Sequence, residues 1–193
     1  MSRRVFDLLT SVGGAIVVVV LLVAGGLLLW GHSFVTSNVH DQLAQQQIFF
    51  PVKGSPELAS PKVGPFLNQY AGQQLVTGPQ AQAYADHFIA VHLRELPYDG
   101  VYSKISAAAL ANPKDPQLAA LKQTAFTGTT LRGLLLEAYA FSTIGAIMLW
   151  GAIVSFALAA VMSVLVGLGF WHAHRTSEEE QMLAKPKAVP ASS

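Results

Sequence analysis

Two stretches of the chain go without a charged residue for long enough to govern the reading of the rest. From Val12 to Trp30 the sequence VGGAIVVVVLLVAGGLLLW runs nineteen residues uncharged, about 28 Å as a helix against a hydrocarbon core of about 30 Å. The second stretch, Ala138 to Trp171, has 34 residues and would reach about 51 Å, longer than a bilayer with its headgroups. It holds no proline and only isolated glycines, so nothing in it turns the chain back to make two spans. Tryptophan favours the headgroup region. Trp30 closes the first stretch, while Trp150 and Trp171 bracket 22 residues of the second. The pattern therefore predicts transmembrane helices over 12–30 and 150–171.

Between them, Val35, Val39 and Leu43 recur at four-residue spacing with no breaker before Pro51, so span one is expected to continue as a helix. Residues 131–149 become an apolar stalk, and the two stalks, 31–48 and 131–149, are expected to pack as an antiparallel hairpin. Pro51, Gly54, Pro56, Pro61, Gly64 and Pro65 mark an extended connection, followed by a short helix in FLNQYAGQQL. Thr77, Gly78 and Pro79 open a helix through Leu96, with Tyr84, Phe88 and Val91 on one face, and Pro97, Asp99 and Gly100 end it. A helix in YSKISAAALAN stops near Pro113. Asp115 followed by Pro116 starts the last helix, because the Asp side chain accepts a helix-end N–H and proline at the first position lacks a donor that would go unused. That helix is expected to lead into span two, with a kink at TGTT. The fold class is an all-α membrane protein: two transmembrane helices extended as stalks, with a helical extracytoplasmic domain over 31–149.

Charge sets the direction. Arg3 and Arg4 precede span one, and Arg175, Lys185 and Lys187 follow span two. No Lys or Arg occurs between Trp30 and Lys53, although Lys122 and Arg132 precede the second stalk. The balance places the N-terminus (1–11) and a disordered tail (172–193) in the cytoplasm of a plasma-membrane protein. A cleaved signal peptide fits less well: the apolar run exceeds the usual run of about 7 to 15 residues, and no small-x-small site ends it.

Composition then narrows the chemistry. Charged residues are 12% against 52% hydrophobic, and the net charge is +1, which leaves no basic stripe for a nucleic-acid partner. The chain has no cysteine, so thiolate zinc sites, redox pairs and cysteine nucleophiles are excluded together. His87 and His92, near Asp86 and Glu95, invite a metal reading, but five helical residues rotate the side chains apart by about 140°. His32 and His172 lie at opposite faces of the bilayer and cannot share a haem iron. No serine sits in a nucleophile motif, and no glycine-rich phosphate loop occurs. No ionisable residue lies within either span, which argues against an ion path in this chain alone. The expectation is no enzyme, no metal and no cofactor.

The most ordered feature is in span two, where Gly151, Ser155, Ala159, Ser163 and Gly167 place a small residue at every fourth position. Small residues let helix backbones approach closely, and van der Waals contact drives association inside lipid. In span one, Gly14 and Gly25 share a face. Because a four-residue ridge drifts about 40° per step, one straight neighbour does not cover all of it. The alternatives are packing against span one alone, or one half against span one and the other against a membrane-protein partner or a second copy.

The sequence as a whole, through AYADHFIAVHLREL, GVYSKISAAALANPKDPQL and TAFTGTTLRGLLLEAYAF, resembles a group of actinobacterial two-span membrane proteins of unknown function. Some of that group carry the label aromatic ring-opening dioxygenase. The label implies an iron site of two histidines and a carboxylate, which the spacing of His87 and His92 does not supply. The leading expectation is a non-catalytic accessory or scaffold subunit of a membrane complex. An extracytoplasmic ligand-binding or sensing module is the alternative, and a metal-dependent enzyme the third reading.

Overall fold

The computed structural model describes residues 3–175; the rest of the tail predicted over 172–193 lies outside the described residues. Among the described residues every regular element is helical: α1 (Arg3–Gln45), α2 (Pro56–Ala59), α3 (Gly64–Leu67), α4 (Gly78–Tyr84), α5 (Ala90–Arg94), α6 (Tyr102–Ala111) and α7 (Pro116–Arg175). The nearest approach to a sheet among the described residues is one isolated antiparallel bridge between Phe49 and Gln74. The described residues divide into two compact units, one made of those up to Trp30 and from Met148 to Arg175, the other of Gly31–Ile147.

In the first unit the long helices have an apolar side-chain surface that is almost wholly exposed. Ile16, Val19, Val20, Val23, Leu27, Val161, Val164 and Leu168 all face outward. Both helices are long and apolar enough to cross a membrane, and only 6% of the most apolar window of each is buried. A core helix of a water-soluble domain buries such residues instead.

The second unit, the head, has a packed core. Leu43 from α1, Phe50, Leu58, Val63, Leu67 and Leu75 from the connecting segments, Ala81, Ala85 and Ile89 from the α4 region, and Leu135 from α7 are all buried. Each large side chain buried in this way stabilises the fold by about 1.5–3 kcal/mol. Phe50 centres an aromatic cluster, lying 5.1 Å from Tyr70 and 5.4 Å from Tyr84, the latter edge to face. The two stalks pair within this unit: His32 Nδ1 lies 2.8 Å from the Gly145 carbonyl oxygen, and a Cβ on Gly145 would rest 3.4 Å from Val35.

Several helix ends follow from the sequence. Thr77 caps α4 in a reciprocal arrangement, its hydroxyl accepting from the Gln80 amide while the Gln80 side-chain oxygen accepts from the Thr77 amide. Asp115 Oδ1 accepts from the Gln117 and Leu118 amides at 2.8 and 3.2 Å, which starts α7 at Pro116. Three expectations are corrected. α7 runs helical through Thr127–Thr130 without a break, and Gly128 serves there as room for Leu93 to pack rather than as a kink. The short helix expected in FLNQYAGQQL begins earlier, at Gly64, and passes into a 3-10 turn over Asn68–Tyr70. The helix expected from Gly78 to Leu96 ends at Arg94 and is interrupted by a π-helical turn over Ala85–Ile89.

Candidate helix-packing interface

A helix that must lie against another for many turns needs small or interlocking residues at a spacing that does not wander around its circumference. In the first unit, a line of α1 positions turned from solvent runs through Asp7, Ser11, Gly14, Val18, Leu21, Gly25 and Leu28, flanked by half-covered Ala15 and Ala24. On α7 the corresponding line is Met148, Ala152, Ser155, Ala159, Met162, Val166, Gly169 and Ala173, flanked by Leu149, Gly151 and Phe170. Both lines step alternately by four and three, a 3.5-residue period, which is the repeat that keeps a seam facing its partner when helices coil left-handedly. Three of the seven α1 positions and five of the eight α7 positions are Gly, Ala or Ser, so the backbones approach closely.

Contacts across the seam are antiparallel. A Cβ built on Gly14 would meet Val166 Cγ2 at 2.7 Å, and one on Gly25 would meet Phe156 Cε1 at 2.9 Å. The same test on Gly151 places Leu28 at 3.1 Å, and on Gly169 it meets the Ser11 hydroxyl. Gly13 and Gly26, one residue away from Gly14 and Gly25, have nothing within 4 Å. Gly14 and Gly25 thus share a face, and that face is turned to α7.

The five-residue ridge divides. Gly151 and Ser155 are partly covered and Ala159 is only 1% exposed. Ser163 and Gly167 are exposed, and a Cβ on Gly167 would meet nothing within 4 Å. Ser163 turns its hydroxyl back onto its own helix, donating to the Ala159 carbonyl at 2.7 Å. The cause is the mismatch of periods: a step of four advances about 40° beyond a full turn, so the ridge leaves a seam that steps by 3.5.

One polar element of the seam was missed by sequence reasoning. Asp7 lies at the seam position one heptad before Gly14, with its Oδ2 atom buried and, among the described residues, without a hydrogen bond. The His172 imidazole stands 3.9 Å from that oxygen. Asp7, Ser11, Gly14, Val166, Gly169 and His172 line a cleft of about 290 Å³ at this end of the helix pair. The signal available in the sequence was a carboxylate seven residues before a seam glycine.

The histidines weighed for a metal are placed differently. His87 stacks flat on Phe66, with ring centroids 3.5 Å apart and planes 4° off parallel. His92 packs against Phe88, and its Nδ1 lies 2.7 Å from the Phe88 carbonyl oxygen. The π-turn that carries His87 changes the angular arithmetic of a regular helix, and among the described residues no three His, Asp or Glu side chains gather as metal ligands. Asp86 instead pairs with Arg132 at 2.8 Å. The Tyr84 hydroxyl is pushed above its ordinary value of 10.0 by burial.

Compared with protein families, with characterised proteins and with solved structures, the chain matches none.

Proposed function

We propose that this chain is a non-catalytic accessory or scaffold subunit of a plasma-membrane protein complex. It crosses the bilayer twice with both termini in the cytoplasm, holds the head outside, and offers the lower half of span two to a partner. The observation that carries this reading is the divided ridge. Gly151, Ser155 and Ala159 are taken up against α1, whereas Ser163 and Gly167 present small residues on a surface that nothing among the described residues covers. In lipid, such a surface is where a second helix gains close backbone contact. Arg3 and Arg4 before span one and Arg175 after span two support the orientation.

Mild-detergent solubilisation followed by affinity purification and sizing tests the reading. The expected result is a stoichiometric membrane-protein partner or a defined oligomer, released by Gly167→Leu without loss of thermal stability. A strictly monomeric, partner-free chain overturns it.

A further inference from the structure

In the head, two departures from regular backbone converge on one cleft. The first is the π-turn over Ala85–Ile89, which carries Asp86. π-turns inside helices recur at functional sites. The second is the turn after α5, where Tyr98, Asp99 and Gly100 are all left-handed, with φ of 60, 58 and 67°. Only the last is a glycine, and it must be one, because a Cβ there would run into the Leu93 carbonyl. Consecutive left-handed residues with side chains are strained and persist where the surroundings fix them, as in ligand clamps. α7 supplies the third wall. The cleft has a volume of about 440 Å³, and Asp86, Leu93, Arg94, Asp99, Thr129 and Arg132 line it.

Its charges are two guanidinium groups and two carboxylates, only partly used among the described residues. Arg132 gives one N–H to Asp86 Oδ1 at 2.8 Å, and its buried Nε has no acceptor there. Arg94 gives its Nε–H to the Ala90 carbonyl, along its own helix. Asp99 stands 3.8 Å from Lys104 and is well exposed. A simple anion entering here meets two carboxylates, and a simple cation meets two guanidinium groups. A ligand that separates one charge of each sign satisfies both sets, and specificity of this kind comes from repelling the wrong charge as much as from attracting the right one.

We propose that this cleft binds a zwitterionic ligand carrying an ammonium group and an anionic group, with Arg94 and Arg132 facing the anion and Asp86 and Asp99 facing the ammonium. The arginine forks suit a carboxylate or a phosphate, so a free-ended short peptide and an ethanolamine phosphate headgroup share the required chemistry. The proposal stands independently of any membrane partner.

The test is titration of the full-length protein in detergent with Ala-Ala and with glycerophosphoethanolamine, against N-acetyl-Ala-Ala and glycerophosphate as controls lacking the ammonium. Saturable binding of one of the first two identifies the source, and the matching control is expected to bind about tenfold or more weakly. Asp99→Asn and Arg94→Gln, both exposed and outside the core, are expected to weaken binding about tenfold while leaving the melting temperature unchanged. No saturation by either ligand up to about 10 mM, equal binding of the controls, or undiminished binding by both variants overturns the proposal.

Discussion

At the scale of single residues, the sharpest contrast is between neighbouring glycines with opposite surroundings. Gly14 and Gly25 press on Val166 and Phe156, while Gly13 and Gly26 face open space. Gly14→Leu and Gly25→Leu are expected to destabilise the helix pair by about 1–3 kcal/mol each, whereas Gly13→Leu and Gly26→Leu are tolerated. Thermal unfolding in detergent, followed by circular dichroism, separates the two classes; equal effects would sink the assigned seam. Tyr98 offers the reverse case, since its left-handed φ of 60° costs an L side chain about 1–2 kcal/mol. After the entropy that glycine loses on folding, Tyr98→Gly is expected to stabilise the head by up to about 1 kcal/mol, seen as a higher melting temperature. Tyr84 adds a pH dependence. Because burial raises its hydroxyl above 10.0, the unfolded chain releases that proton first. Stability from this group is intact below the ordinary tyrosine value and falls as the pH climbs through the raised one. Tyr84→Phe should flatten that alkaline limb in a pH series of melting curves.

At the scale of elements, most helices were legible because their signals are local. Thr77 with Pro79 and Asp115 with Pro116 declare two helix starts in a handful of residues, and Pro97 through Gly100 declares a stop. The π-turn was not legible, since one extra residue in a helix leaves no composition change to notice. In the sequence ADHFI nothing separates a π-turn from an α-turn. The seam was half legible. The fourth-position ridge is conspicuous in the residue types, yet the packing follows a 3.5-residue step whose members include Met148, Met162 and Val166, which look like ordinary lipid-facing residues. A leucine scan of α7 from 150 to 173 is therefore expected to lose stability at Ala152, Ser155, Ala159 and Gly169 but not at Ala157, Ala160 or Gly167. Sensitivity recurring every fourth residue would restore the simple ridge as the contact line.

At the scale of the whole molecule, the two apolar helices are the part most directly legible in the sequence, because length and lack of charge can be read from one continuous stretch of chain. Orientation is a separate matter and has a clean test, since the natural chain has no cysteine. Single cysteines at Lys53 and Gln117 are expected to react with a membrane-impermeant maleimide in intact cells, and one at Arg175 only after lysis. Labelling of all three from outside would refute the proposed topology. What sequence could not supply was the meeting of Asp86, Arg94, Asp99 and Arg132, which come from separate elements, the ion-paired Asp86 and Arg132 lying 46 positions apart. Finally, the seam's composition bears on temperature. Glycine and alanine have no side-chain rotamers to freeze, while leucine loses about 0.5–1 kcal/mol when fixed. Most bulky side chains of both helices point away from the seam and keep their rotational freedom. Apart from Leu21, Leu28, Met148 and Met162, bringing these helices together forfeits little side-chain disorder, and their pairing should weaken less on warming than a seam lined throughout by leucine and of equal strength at about 25 °C.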